Sequence, residues 1–247
     1  MIGSKKNLSK KKISRKNLCS INSALCSKIV LFDFDGTLSA GDTTIDFWKY
    51  SFLHSVRPWV FSPVIPIALT LKYANRFVKK IFHIKRLTRF DTLWREMLHC
   101  YETPELMRRL SPGFIAEHRR KRFAWAADQV ARERAAGSVV VMISAGLNEF
   151  LTPLIEDMGF DYILCTRMIE SHPWKFRFFC YRENKVDALN GLLRAEFGCD
   201  LNSEKTPFRV VRAYSDDSSD RPMMGLAKQA VWIDPETGNV REVTGKR

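Results

Sequence analysis

The chain has 247 residues, of which 45% are hydrophobic, 12% aromatic and 27% charged. That composition excludes disorder throughout, a collagen and a disulfide miniprotein, and the length suits one α/β domain or a core of roughly 150 residues with a large insertion. A net charge of +13 is unevenly placed: residues 1–28 hold eight Lys/Arg and no acid, residues 41–137 hold eighteen against nine, and the remainder is acidic, which calls for an anionic partner at the two basic regions.

Residues 1–27, with the run Lys10, Lys11, Lys12 and no apolar period, read as a flexible basic arm. Residues 18–25 are too broken by Ser20, Asn22 and Ser23 for a secretory h-region; a transit peptide stays open, although Lys rather than Arg dominates. The six cysteines (19, 26, 100, 165, 180, 199) form no C-x-x-C pair, as expected of free thiols in a reduced compartment. Ile29-Val30-Leu31-Phe32 is a continuous apolar run ending in Asp33-Phe34-Asp35-Gly36-Thr37, the pattern of a buried parallel strand entering a loop.

Farther on, residues 126–136 read as a helix stopped by Gly137 and residues 138–143 as a second buried strand. Ser144-Ala145-Gly146 then turns into a helix over residues 148–158, closed by Gly159. Further strands are predicted at 162–165, 210–214 and 230–233, with a helix over 184–197. Strands alternating with helices specify an α/β, doubly wound parallel sheet. The core is expected at 28–40 and 138–247, with residues 41–137 a helical insertion after the first strand. Within it the stretch from Trp59 to Leu71 is almost wholly apolar and flanked by Arg57, Lys72, Arg76, Lys79 and Lys80. It is too short to span a bilayer. A buried helical hairpin and an interfacial anchor on an anionic membrane surface both fit it.

Two aspartates two apart at a strand end face the same way, so Asp33 and Asp35 can address one ligand. Ligands of open α/β sheets bind at the carboxyl ends of strands, and Ser144, Lys185 and Asp216 with Asp220 fall at such ends or at the start of the following helix. His54, His83, His99, His118 and His172 show no ligand spacing, and the run His118-Arg119-Arg120-Lys121-Arg122 reads as a solvated helix face, equally able to receive an anionic headgroup or nucleic acid.

In this set of residues the chain resembles the haloacid dehalogenase (HAD) superfamily. Asp33-Phe34-Asp35-Gly36-Thr37-Leu38 matches its first motif, Ser144 its second, Lys185 its third, and Tyr214-Ser215-Asp216 through Asp220 its fourth. Asp217 departs from the pattern, which more often has a small residue there. With Ser144 109 positions after Asp35 but Lys185 only 41 after Ser144, the cap follows the first motif, as in the branch containing phosphoserine phosphatase. The segment around Asp42-Thr43 and Phe47, with the apolar cap stretch, is more similar to the phosphatidylglycerophosphatase C family.

The resemblance implies a Mg²⁺-dependent phosphomonoesterase acting on a phosphorylated substrate. Asp33 would be the nucleophile that forms an aspartyl-phosphate and Asp35 the acid and base. Ser144, the Ala145 backbone and Lys185 would hold the phosphate. Asp33, Asp216 and the Asp35 carbonyl would ligate Mg²⁺, with Asp220 acting through water. An intact motif set argues against a nucleic-acid- or membrane-binding scaffold without turnover, because binding alone does not need Asp35. The substrate is expected to be a lipid-linked phosphate or a small soluble metabolite, and the protein cytoplasmic or peripheral on the inner face of the membrane.

Overall fold

The computed structural model describes residues 27–83, 89–169, 172–204 and 206–245; the basic arm, Ser27 apart, lies outside them. Strand β1 (Ser27–Phe32) leads through helices α1 (Thr43–His54), α2 (Arg57–Val60), α3 (Val64–Ile81), α4 (Arg89–Leu98), α5 (Pro104–His118) and α6 (Ala126–Ala135) to β2 (Val139–Leu147). Then follow α7 (Asn148–Ile155), β3 (Tyr162–Ile169), β4 (His172–Phe178), α8 (Glu183–Phe197), β5 (Phe208–Ser215), α9 (Arg221–Met224), β6 (Gln229–Ile233) and β7 (Val240–Gly245).

The seven strands form one sheet in the order β4-β3-β2-β1-β5-β6-β7. The inner five are parallel, and β4 and β7 run antiparallel at the two edges. Because side chains alternate along a strand, Val30 and Phe32 of β1 join one apolar cluster with α1, α5, α6 and α7, while Ile29 and Leu31 join another with α8 and α9. Helices on both faces of a mostly parallel sheet give the doubly wound α/β architecture expected.

Both edge strands escape the sequence pattern. Strand β3 runs four residues beyond the predicted end and pairs with β4 as a hairpin, and the fully exposed β7 offers no apolar alternation to detect. Strand β2 also outruns its predicted end. Leu147 pairs with Thr166 after a bulge that follows Ser144, and the next helix begins at Asn148 as expected but ends at Ile155, three residues before the predicted end.

The inserted helices are anchored from below. The backbone N–H of Ala40 donates to Lys121 at 2.9 Å and that of Phe123 to Leu38 at 3.0 Å, so the outgoing and returning chain lie side by side. Helix α6, which the sequence places at the end of the insertion, packs on the sheet through Ala126 and Val130. A triangle of rings joins α1, α5 and α7: Phe47 lies 4.2 Å from Phe150 and 5.2 Å from Phe114, centroid to centroid.

Not a solvated face, the run from His118 to Arg122 is largely a clamp. Arg119 pairs with Glu156, Lys121 with Asp46 and Arg122 in bidentate fashion with Asp157. His118 is buried under Phe34 and Phe114, and burial pulls its imidazole down to about 4, Asp46 opposing. An unfolded histidine takes its proton near 6.5, so between pH 6.5 and 4 the unfolded chain binds more protons and stability falls as pH falls. The shift corresponds to about 3 kcal/mol at full extent. His118→Gln is therefore expected to flatten the decline in urea midpoint between pH 7 and 4.5; an unchanged decline would assign it to carboxylates.

Candidate active site

The first, third and fourth predicted motif positions are joined by hydrogen bonds at the carboxyl edge of the parallel strands, and Ser144 lies in the neighbouring strand β2. Asp33 and Asp35 follow β1, the Asp33 N–H donating to the Tyr214 carbonyl at 3.0 Å. Lys185, in the first turn of α8, is buried and donates from Nζ to Asp33 Oδ1 at 2.8 Å and to Asp220 Oδ2 at 2.7 Å. Asp216 leaves β5 and accepts from the Thr37 hydroxyl at 3.0 Å. Its carboxylate packs against Gly36, where a Cβ would fall 2.3 Å from Oδ2; the φ of +71° there also favours glycine.

Asp33 and Asp35 have different surroundings. Burial pushes the Asp33 carboxyl up to about 7, Lys185 opposing and Asp220 and Asp216 adding to the push. Asp35 has no cation partner among the described residues: burial holds it well above the usual carboxylate range, with Asp42 and Asp33 reinforcing. Both of its oxygens are fixed by Thr43, from the backbone N–H and the hydroxyl, each at 2.9 Å. Of the two, Asp33 is the carboxylate with a counter-ion and Asp35 the one better able to keep a proton at neutral pH.

Ser144 is buried, and its hydroxyl accepts the Gly146 N–H at 3.0 Å; the Ala145 carbonyl accepts from Thr166 at 2.6 Å. Sequence reasoning missed the positioning residues: Thr43, Thr37, and Ser215, whose hydroxyl donates to Asp220 at 2.7 Å. Thr43 carried one usable signal, a hydroxyl at the first position of a helix that Asp42 already caps. Asp217, the departure from the motif, caps the short turn over Ser218–Asp220 by accepting the Ser219 N–H.

The arrangement fits a hard divalent cation by its chemistry. Four carboxylates (Asp33, Asp35, Asp216, Asp220) gather around one ammonium that pairs with only Asp33 and Asp220, all donors are oxygens, and among the described residues Asp220 Oδ1 is buried with no hydrogen-bond partner. Burial also raises Asp216, Thr37 opposing. Among the described residues no three side chains already converge as a metal cluster, because Asp33 and Asp220 turn to Lys185 and Asp35 to Thr43.

Beside these residues opens a cavity of about 310 Å³, lined by Ala145 and Leu147 of β2, Trp48 of α1, Ile65, Leu69 and Lys72 of α3, Trp94 and Arg95 of α4, and Phe176 and Phe179. Its walls are mainly apolar. Arg95 stacks 4.7 Å from the Trp94 ring centroid, 4.8 Å from Tyr181 and 5.1 Å from Phe179, and the Lys72 ammonium lies 5.0 Å from the same Trp94 ring. Neither cation forms an ion pair among the described residues, and burial lowers the Arg95 guanidinium from its usual value.

An open α/β sheet with paired aspartates after its first strand, a lysine at a helix start and an acidic loop after a later strand defines a hydrolase scaffold. The chain belongs to the haloacid dehalogenase-like hydrolase family, whose model matches residues 30–225. It is 31% identical over 125 residues to the probable phosphatase Rv3661 of Mycobacterium tuberculosis, a match covering 49% of this chain and 41% of that one. It is 27% identical over 125 residues to the inhibition of morphological differentiation protein of Streptomyces azureus, covering 49% and 42%. The match thus spans less than half the length of these curated relatives. Among solved structures, a protein of unknown function from Bordetella pertussis Tohama I superposes with a TM-score of 0.62 at 19% identity, covering 86% of this chain and 92% of that one. A phospho-aspartyl intermediate analogue of phosphoserine phosphatase superposes with a TM-score of 0.52 at 15% identity, covering 84% and 86%. These two likenesses show the fold.

Proposed function

We propose that the protein is a Mg²⁺-dependent phosphomonoesterase that works through an aspartyl-phosphate on Asp33. The observation that carries this reading is the pair of buried carboxylates in opposite surroundings, Asp33 on Lys185 and Asp35 on Thr43. In the first half-reaction an Asp33 oxygen forms a bond to phosphorus as the ester P–O bond breaks, and Asp35 gives its proton to the leaving oxygen. In the second, Asp35 takes a proton from water as that water's oxygen attacks phosphorus and releases Asp33. Lys185 and Ser144 bind the phosphoryl oxygens. Asp33, Asp216 and the Asp35 carbonyl would hold Mg²⁺, with Asp220 acting through water. The bound ion supplies charge neutralisation between the phosphate dianion and the carboxylates.

The cavity supports a substrate whose leaving group is apolar and carries a second anionic group, as in a lipid-linked phosphate, because Arg95 and Lys72, without an ion pair among the described residues, lie among aromatic walls. Work at the inner face of a membrane suits such a substrate. A small soluble phosphate would leave most of the cavity unfilled. Hydrolysis of p-nitrophenyl phosphate is expected with Mg²⁺ and to fall at least ~100-fold with EDTA, recovering on Mg²⁺ addition. Hydrolysis indifferent to chelation would reject the metal, and none under any condition the reaction.

A further inference from the structure

Helix α3 is amphipathic in the reverse sense. Its inward line, three and four residues apart, is Ile65, Ala68, Lys72, Asn75 and Lys79. Ala68 is fully buried, Ile65 and Lys72 line the cavity, and Asn75 and Lys79 both bond Asp91 of α4, at 2.9 and 2.7 Å. Its outward line is Ile67, Ala74, Phe77, Val78 and Ile81. Ile67 is 56% exposed, Phe77 65% and Ile81 53%; at the end of the hairpin Phe82 is 69% and Phe90 56% exposed. A helix on a protein surface in water normally turns its polar groups outward. Here Asn75 and Lys79 are spent on the neighbouring helix, while Phe77 and the aliphatic side chains share the outer surface with Arg76 and Lys80.

The charges beside this face have one sign. No Asp or Glu occurs between Asp46 and Asp91, a stretch holding nine Lys/Arg. On α3 the exposed Arg76 and Lys80 lie one residue from Phe77 and Ile81, along the flank of the apolar line. Among the described residues no helix is long and apolar enough to cross a membrane.

We propose that the outward face of the α3–α4 hairpin, formed by Ile67, Phe77, Ile81, Phe82 and Phe90, docks in the plane of an anionic lipid bilayer, its rings at the acyl boundary and Arg76 and Lys80 at headgroup phosphates. Charge chooses this occupant. A second copy packed face to face would set Arg76 and Lys80 against their own images, whereas an anionic bilayer meets both the rings and the cations. The opposite face of the same helix lines the cavity beside Asp33 and Asp35, so docking brings the cavity to the headgroup layer. The surface deepens the lipid-linked reading of the substrate, but it stands on exposure and charge alone.

The test uses the full chain and the triple variant F77S/F82S/F90S, floated with phosphatidylcholine vesicles with and without phosphatidylglycerol. Moderate salt screens the basic arm common to both proteins. Expected is binding that strengthens with phosphatidylglycerol and weakens about a hundredfold in the variant, with p-nitrophenyl phosphate hydrolysis unchanged. No binding by the parent, or equal binding by the variant, overturns the proposal. So does a parent dimer that the variant converts to monomer without any vesicle binding, which would assign the face to a second copy. Vesicle binding by a parent with no phosphatase activity would keep the docking surface and reject the proposed reaction.

Discussion

Asp33→Asn is expected to lose at least ~1,000-fold in turnover, equivalent to about 4 kcal/mol of transition-state stabilisation, while folding at least as well as the parent. The amide keeps the shape of the carboxylate but is a far weaker nucleophile. It also removes a charge that burial disfavours: with Asp33 pushed up to about 7, the ionised carboxylate is costly in the absence of a cation other than Lys185. Lys185 retains Asp220 at 2.7 Å. Activity within tenfold of the parent, measured alongside an unchanged unfolding midpoint, would remove Asp33 as the nucleophile.

Lys185→Met is expected to be the most damaging single change to stability at the site. Burial by itself would lower the lysine, yet Asp33 and Asp220 outweigh it and hold the ammonium above its ordinary value. Taking away that shared counter-ion leaves two buried carboxylates facing each other with Asp216 nearby, and breaking a buried pair this way costs about 3–5 kcal/mol. Without Lys185, which opposes the rise of Asp33, the Asp33 carboxyl retains its proton to higher pH, so the loss is largest at pH 8 and shrinks as acidification neutralises it. Chemical denaturation of parent and variant at pH 8 and pH 6 measures the difference. Equal stability at pH 8 would show that the lysine does not hold the cluster together.

Those elements that bury a continuous apolar run were readable from the sequence, because β1, the first part of β2 and β5 are enclosed between helices on both faces. Edge strands were not. Strand β7 is exposed along its whole length, and β4 is specified by its pairing with β3 and by the Phe176 N–H donating to Glu96 of α4 at 2.9 Å, a contact eighty residues away. The chemistry was legible for the same reason as the strands: Asp33, Lys185 and Asp216 sit where strand or helix ends can be predicted. Their supporting hydroxyls, Thr37, Thr43 and Ser215, look like ordinary turn and cap residues until the fold brings them to the carboxylates. Nor could charge alone tell a clamp from a solvated face at residues 118–122, since Asp46, Glu156 and Asp157 come from other helices.

The ring triangle of Phe47, Phe114 and Phe150 changes how this active site can open. Those rings tie the helices on either side of the insertion to α7, in one apolar cluster with Val30 and Phe32 of the central strand. A rigid swing of the whole insertion would have to part that cluster, so most of the insertion and the sheet behave as one cooperative unit. The α3–α4 hairpin is held differently, with Ala68 and Glu96 its only fully buried residues among those described. The hairpin is therefore the part of the cavity wall with the least burial to hold it, and its amides are expected to exchange with solvent before those of the ring-tied helices.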